Sequence, residues 1–529
     1  MDAATNLTIR NITITPLELK LVEHLDPPPP PPHHGAPGGL AKITARLTGR
    51  PAATPTPSAT TTIAAEDAEQ QEQQQDHTRP FRRHQISGVV VQPFSEASLP
   101  SEIAPPDVAR GEQLRLTFEE PGSPAVQYVA KIPGPAPQPQ RSIVMRATSL
   151  SPAAGDDDSA APQKEFTLVY VPSHAFLAIF SSARLASWMA ELDSGFPLSA
   201  LSIPGTHNSP TCYVALPSVR CQAASVRDQL DNGVRFLDVR VSCPSSPSSS
   251  PSSSPPPPDG NSNNSNSNLA LVHSAFPISL SGTKYFHDLL ADIYGFLDVH
   301  PSEAVLMSIK REGTGKGTDQ QLSRHLAGRY FAGDAARRWW TAPRIPTLGE
   351  ARGRVVLVRR FHVDETVAAE NGGGLGIDGS VWPDNCADGT CGSGQIRLQD
   401  YYEIGQSDEI LKKITLAQEE LERAAQRGVV LPGEAAAADA PPPQLFINFL
   451  SASNFFNASC WPDRIAAKIN PAIIEYLCMS HGAPGKGPGQ LTIGDAATGV
   501  VVTDWVGNNG DWDLIRCIVG WNSRLQLKR

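Results

Sequence analysis

The chain has 529 residues, 49 of them proline and 8 cysteine, with a formal net charge of -10 and only 19% charged residues. That length exceeds one ordinary domain, so two domains joined and interrupted by unpacked segments are expected. The acidic balance excludes the basic patch expected of a nucleic-acid binder, and it argues against simple electrostatic attachment to anionic lipid.

The first residues, Met1 to Thr8, carry neither a basic n-region nor an apolar h-region, so no secretory signal is expected. No stretch reaches the ~18 apolar residues of a spanning helix. An intracellular protein, at most peripheral at membranes, is the expectation. The cysteines are too sparse for a disulfide framework. The nearest pairs, Cys212 with Cys221 and Cys386 with Cys391, lack a second Cys or His pair at metal-ligand spacing. Zinc is therefore not expected, and free thiols are.

Residues 1–183 read as a β-rich, sandwich-like domain. Asn6–Ile14 alternates apolar and polar residues, the pattern of a half-buried strand. Gly88–Val91, Gln113–Phe118, Gln127–Ala130 and Glu165–Val171 are further strands, separated by turn-rich spacers. The Pro27–Pro32 run and the Thr/Pro/Gln-rich tract from Pro51 to Gln75 are solvated linkers by composition. No chemistry is legible in this half.

From residue 184 to 529 strands alternate with helices, which favours a parallel sheet with crossover helices. The expected strands are Ala200–Ile203, Phe236–Val241, Leu269–Val272, Ala304–Lys310, Val355–Arg360, Ile396–Asp400, Leu445–Leu450 and Val500–Asp504. Eight such strands make a (β/α)8 barrel. Phe286, Leu289, Leu290, Ile293, Phe296 and Leu297 fall on one face of an outer helix, and Ser407–Arg427 and Pro462–Cys478 are two more helices. Pro244–Asn268, rich in Ser, Pro and Asn, is an expected disordered insertion. Ala435–Pro443 is a smaller one.

Polar groups cluster where expected strands end. His207 follows Leu201-Ser202-Ile203-Pro204-Gly205-Thr206, Asp238 and Arg240 close Phe236–Val241, and His273 ends Leu269–Val272. The C-terminal strand ends of a barrel are where catalytic side chains project. Two imidazoles and a guanidinium there suit acid–base chemistry at phosphorus: one ring takes a proton, the other gives one, and the cation holds the phosphate oxygens.

Ser202–His207, Phe236–Arg240, Val272-His273 and Met307–Glu312 together resemble the catalytic X domain of bacterial-type phosphatidylinositol-specific phospholipase C. The resemblance continues through Gly353–Leu357, Trp382–Asn385, Gln399–Tyr402 and Leu445–Phe449, in co-linear order from about Leu185 to Arg529. It implies a distorted TIM barrel that cleaves phosphatidylinositol, or a glycosylated form, to diacylglycerol and inositol 1,2-cyclic phosphate.

By that resemblance His207 is the general base on the inositol 2-hydroxyl, and His273 the general acid on the leaving glycerol oxygen. Arg240 binds the phosphoryl oxygens. Asp238, two residues earlier on the same strand face, orients Arg240, and Asp504 fixes the tautomer of His207. Lys310, Arg360, Asp400 and Tyr402 fall where the family contacts the inositol ring. Arg240 stands where the calcium-dependent relatives carry a metal-binding carboxylate, so no metal or other cofactor is expected. Asn208 departs from the bacterial pattern, which has Asp there. It removes a charge near the acid histidine, and it matches a calcium ligand of the other branch.

The expected partners are the lipid substrate and, transiently, the membrane surface, with no nucleic acid. Oligomeric state is not legible. Tyr213–Leu216 and Phe455-Phe456 are candidates for membrane contact as well as for core packing, whereas Trp339-Trp340 precedes a strand and is assigned to packing on the opposite rim. The rival readings are a catalytically impaired lipid-binding homologue and a metal-dependent phosphodiesterase on the same barrel. The latter needs a carboxylate-built metal site, and no Glu-x-Asp follows the second strand.

Overall fold

The structure is a computed structural model that describes residues 6–26, 80–134, 141–149, 164–244, 268–431 and 442–528. The linkers expected at Pro27–Pro32 and Pro51–Gln75 lie outside these residues, as do Pro244–Asn268 except its two ends and Ala435–Pro443 except its last two residues. Among the described residues, two large sheets form, one of nine strands and one of twelve.

The first sheet contains β1 (Thr8–Ile12), β2 (Leu17–Leu25), β3 (Pro80–Val91), β4 (Ser95–Ser98), β5 (Gln113–Glu120), β6 (Ser123–Ile132), β7 (Ser142–Ser149), β8 (Glu165–Val171) and β9 (Phe176–Ser181). Their order is β3-β2-β5-β6-β7-β8-β9-β1-β4. β7 links the two halves, pairing β6 through Ala147–Ser149 and β8 through Ser142–Arg146. The inner face closes over one apolar core that includes Leu19, Val22, Leu116, Phe118, Leu168 and Ile179.

β8 and β9 are buried on both faces. Leu168, Tyr170, Leu177 and Ile179 point into that core, while the alternating Val169, Val171, Phe176, Ala178 and Phe180 join the core of the second unit. A strand covered on both sides has no polar face to alternate with, so its sequence becomes a continuous apolar run, as in Phe176–Phe180.

The second unit contains β10 (Ile203–Thr206), α1 (Val226–Asp231), β11 (Phe236–Ser242), β12 (Ala270–His273), β13 (Phe276–Pro277), α2 (Phe286–Val299), β14 (Val305–Arg311), α3 (Asp319–Arg329) and β15 (Trp339–Trp340). It continues with α4 (Leu348–Ala351), β16 (Val355–Arg360), α5 (Glu365–Glu370), β17 (Ile377–Asp378), β18 (Cys386–Cys391) and β19 (Ile396–Asp400). The last elements are α6 (Ile410–Ala425), β20 (Leu445–Phe449), α7 (Pro462–Met479), β21 (Val500–Thr503) and α8 (Asp513–Gly520). The parallel path runs β16-β14-β11-β10-β21-β20-β19, so the first strand of the unit pairs with the last. Two dipeptide strands, β15 and β17, share the free edge of β16. No ladder joins β17 to β18 or β19 among the described residues, which leaves one open seam. The unit is a mixed α/β structure built on this parallel sheet.

One expected strand is corrected. Leu269–Val272 is not a parallel member of the sheet: β12 runs antiparallel to the end of β11, with Val241 opposite Leu271. Ala200–Ile203 moves to Ile203–Thr206, because Leu198–Ala200 forms a 3-10 turn. The face of α2 lies as expected, with all six of its apolar residues buried. Trp339-Trp340 pairs with Val355 and Val356, at the start of β16 and away from its C-terminal end.

The two units meet at the C-terminus of α7. Arg10 on β1 is buried and donates to the carbonyls of Cys478 (3.1 Å) and His481 (2.7 Å). These are carbonyls left without intrahelical partners, and the cation complements the helix dipole there. Gly482 has φ 68°, and a Cβ on it would lie 2.7 Å from the Trp521 ring, so only glycine fits the turn. His481 is fully buried between Trp521 and Tyr476, with Nε2 3.0 Å from the Ala496 carbonyl.

Burial, with Arg10 and Arg524 nearby, pushes the His481 imidazole down to about 3. A group whose folded pKa is depressed below its unfolded value of 6.5 leaves the folded state neutral while the unfolded chain takes up a proton. Stability is therefore lost as pH falls below 6.5, by up to about 1.4 kcal/mol per pH unit for this one proton. Melting temperature should fall between pH 6.5 and 5, and His481→Gln, which still offers a donor to Ala496, should flatten that slope by one proton's share. Calorimetric scans across that range measure both.

Candidate active site

The C-terminal ends of the parallel strands carry a charged ring, and strand register builds it. On neighbouring parallel strands Arg240, Lys310 and Arg360 fall in register, one beside the next. The period of two puts Asp238 with Arg240, and Glu312 with Lys310, on one sheet face. Three cations in a row would repel one another, so carboxylates interleave with them. Asp238 Oδ2 accepts from Arg240 Nη2 at 3.2 Å, and Asp238 Oδ1 lies 3.5 Å from Arg360 Nη1. Glu312 Oε1 accepts from Arg240 Nη1 at 2.9 Å and from Lys310 Nζ at 2.7 Å, while Oε2 takes the Ser274 N–H at 2.9 Å.

The carboxylates are held ionised by these partners. Burial alone would raise Asp238, but Arg240 and Arg360 keep it below the usual carboxylate range. Glu312 likewise overcomes burial and falls to about 2 beside Arg240 and Lys310. Arg240 in turn is raised, its burial outweighed by Asp238 and Glu312.

His207 leaves the end of β10, where its N–H donates to the Thr503 carbonyl at 2.9 Å. That bond sets it beside Asp504, the residue after β21, and His207 Nδ1 lies 3.0 Å from Asp504 Oδ1. Close approach of β10 to β11 requires Gly205, because a Cβ there would meet Phe236 Cβ at 3.0 Å. Gln222 Nε2 clamps the pair, donating to the carbonyls of His207 (2.7 Å) and Thr503 (3.0 Å) and reaching Asp504 Oδ1 at 3.4 Å. Asn208 is buried at φ 43°, its N–H on Asp238 Oδ2 and its Nδ2 3.1 Å from His207 Nε2.

His273 faces His207 edge to face, ring centroids 5.9 Å apart, with Nδ1 2.7 Å from the Val219 carbonyl. Burial, then Arg240, push both imidazoles below their usual range, His207 the further of the two. Burial pushes the Asp504 carboxyl upward, against Arg240. Burial thus disfavours the charged forms of His207 and Asp504 alike, and the pair shares one contact through Nδ1 while Nε2 lies 3.1 Å from Asn208 Nδ2.

Every residue expected from the sequence converges here. His207, Arg240, His273, Lys310, Arg360, Asp400 and Tyr402 line one cavity of about 300 Å³, with Asp238, Asn208 and Asp504 behind it. Arg360 stacks 3.7 Å above the Trp382 ring, whose Nε1 donates to Asp400 Oδ2 at 2.9 Å. Tyr402 Oη donates to Asp384 Oδ1 at 2.8 Å. Sequence reasoning assigned no role to Glu312, Gln222, Trp382 or Cys221. Glu312 was legible in principle, two residues after Lys310 on the same face; Gln222 and Cys221 come from a loop without periodicity.

Residues 195–361 match the family model described as the phosphatidylinositol-specific phospholipase C, X domain. Over those residues the chain has the X domain that its motifs resemble. The matched X-domain residues include both histidines, Arg240 and Arg360; Asp400, Tyr402 and Asp504 follow later in the chain. A Staphylococcus aureus 1-phosphatidylinositol phosphodiesterase is 24% identical over 353 residues, 64% of this chain and 93% of its own length. A Listeria monocytogenes protein of the same name is 26% identical over 196 residues, 35% of this chain and 51% of that protein. Solved structures of phosphatidylinositol-specific phospholipase C from these organisms align with TM-scores of 0.45 (20% identity, 64% of this chain, 97% of that chain) and 0.42 (19%, 64% and 99%).

Because Arg240 depresses both rings of the X domain, removing its charge must raise them. Arg240→Leu should move the imidazole titrations of His207 and His273 upward toward 6.5. Nitrogen-15 NMR of the histidine side chains between pH 4 and 8 reads this, and titrations unmoved by the substitution would contradict the assigned field.

Proposed function

We propose that the chain cleaves phosphatidylinositol, or a glycosylated form of it, to diacylglycerol and inositol 1,2-cyclic phosphate without a metal ion. The observation that carries this reading is the pairing of His207 on Asp504 with His273 across a cavity that also presents Arg240. His207 Nε2 removes the proton from the inositol 2-hydroxyl as that oxygen forms its bond to phosphorus. The bond from phosphorus to the glycerol oxygen breaks, and His273 protonates the leaving oxygen. Arg240 holds the non-bridging oxygens, where charge gathers in the transition state. Attack within one molecule gains from orientation, because ring and phosphate are fixed together.

The resting His273 is short of a proton, since burial and Arg240 lower it. A bound phosphodiester supplies the missing anion between the rings and favours the imidazolium. Asn208 Nδ2, 3.1 Å from His207 Nε2, occupies the place of the substrate hydroxyl and must yield to it. Asp238 and Glu312, the acids nearest the phosphate position, are already engaged by Arg240. This favours the guanidinium over calcium as the local cation. Arg360, Lys310 and Asp400 take the ring hydroxyls, and Tyr402 borders the same ring.

We assign residues 184–529 to the catalytic unit, a (β/α)8-type barrel distorted by the antiparallel β12 and by the seam between Asp378 and Cys386. We assign residues 1–183 to a β-sandwich domain, whose described strands β8 and β9 pack against it. No helix among the described residues is long and apolar enough to cross a membrane. The surface beside the cavity mouth instead exposes Val214, Phe276, Leu280, Phe455 and Phe456, the last at 94%. Phe276 stacks on Phe455 with centroids 5.4 Å apart, and the Leu280 N–H joins the Val214 carbonyl at 3.0 Å, so three segments form one apolar rim. We place the membrane contact there.

Phosphorus NMR with phosphatidylinositol micelles in EDTA should show a cyclic phosphate product. His207→Ala and His273→Ala should each lower the rate by about 10²–10⁴-fold. Product that appears only with calcium would overturn the metal-free step, and no product under either condition would point to an impaired lipid-binding homologue. Phe456→Ser should weaken binding to phosphatidylcholine vesicles about tenfold, as loss of one buried aromatic side chain implies. Sedimentation with vesicles measures it.

A further inference from the structure

A third titratable side chain lies against the two histidines and takes no part in the step above. Cys221 is fully buried, with Sγ 3.8 Å from His273 Nδ1. One ligating atom each of His207, Cys221 and His273 lies within 4.8 Å of the other two. The loop that carries Cys221 is pinned: its N–H donates to Thr211 Oγ1 at 3.1 Å, and its carbonyl accepts from Trp505 N–H at 2.9 Å. The thiol is thus placed by the backbone, not by side-chain chance. Neither cysteine spacing nor a His pair in the sequence announces the trio, because its members come from three separate segments.

We propose that His207, Cys221 and His273 form a binding site for a soft divalent cation such as Zn²⁺, and that occupancy blocks the histidine chemistry. Two imidazoles and one thiolate are a donor set zinc accepts, leaving a fourth tetrahedral position for water. Zinc–ligand bonds imply donor separations of roughly 3.3–3.6 Å. The sulfur–imidazole contact of 3.8 Å is close to this already, and the wider separations must close by about 1 Å. His207 is oriented as metal-binding histidines are, with its other ring nitrogen on the buried carboxylate of Asp504.

Binding balances simply. The Cys221 S–H bond breaks, a sulfur–metal bond forms and the proton goes to solvent, with no change of oxidation state. Ligation through His273 Nδ1 gives up its contact with the Val219 carbonyl, and the proton that Nδ1 held there moves to Nε2. The His207 lone pair is then committed to the metal, and His273, held as a neutral metal-bound ring, cannot become the imidazolium that the acid step requires. Arg240 opposes the incoming charge, so binding is reversible. Calcium and magnesium, which require several oxygen ligands, find too few here. The inhibition rests on the proposed phosphodiesterase reading; the metal site does not.

The test is titration of the purified full chain with Co²⁺, read as the near-ultraviolet thiolate-to-cobalt band, beside Cys221→Ser. The expected result is a band that Zn²⁺ displaces, that Cys221→Ser lacks, and that His207→Gln, which keeps the thiol, forms only at about tenfold or more higher Co²⁺. Circular dichroism establishes that both variants fold. No band in the parent chain, or a band that survives Cys221→Ser, overturns the site. In parallel, Zn²⁺ but not Ca²⁺ should inhibit phosphatidylinositol turnover competitively, with the Cys221→Ser midpoint at least about tenfold higher, each variant scaled to its own metal-free rate. A cysteine-dependent band in a chain without turnover would sink the phosphodiesterase reading and leave the site standing. Turnover without the band would do the reverse.

Discussion

Three parallel strands deliver Arg240, Lys310 and Arg360 to the same level of the sheet, and much of the cavity follows from the need to neutralise them. Lone buried cations are expensive, and cations in register add repulsion to that cost. Asp238 and Glu312 resolve this by bridging rather than pairing: each touches two of the cations. The bridges fix the guanidinium plane of Arg240 within the cavity. They also leave the Arg360 Nε and Nη1 without hydrogen-bond partners in a buried position. Buried donors left in that state favour a ligand that brings acceptors to them, so the charge balance of the cavity bears on what it can hold.

The histidines obey a second constraint, applied by the sheet's closure. β10 and β21 are first and last in the catalytic unit, yet they pair from Ile203–Val500 to Thr206–Thr503. His207 and Asp504 are the next residues along each strand. Parallel neighbours in register put successive residues side by side, so the contact between His207 and Asp504 is a product of this pairing. Gln222, fully buried, holds the backbone of both ends. The open seam falls on the far side, between β17 and the β18–β19 hairpin, where no histidine depends on ladder geometry.

Much of this was legible in the sequence, for identifiable reasons. Seven expected strands of the catalytic unit have counterparts among its parallel members, since each is an apolar run that ends in polar residues at or beside the cavity. The failure was β12, where a short apolar run looks the same whether its neighbour is parallel or antiparallel. In the N-terminal unit β9 was missed because Phe176–Phe180 is buried on both faces and shows no alternation. β2 was missed because a bulge between Leu19 and Leu21 shifts its phase midway. Residues on irregular loops, Gln222 and Cys221 above all, carry no periodic signal; only folding brings them to the histidines.

The correction at β12 explains how His273 keeps its place beside a long interruption of the chain. β11 ends at Ser242 and β12 begins at Ala270, and these two residues are paired across an antiparallel ladder. The intervening segment therefore leaves and returns at one point. Its length adds little closure cost, because that cost grows only with the logarithm of loop size. His273 is then fixed from the other side, by the Val219 carbonyl on the loop after β10. A barrel strand in that position would have tied His273 to the register of its neighbours. The antiparallel return separates the two demands, so added chain at one end of β12 leaves the imidazole opposite His207 at the other.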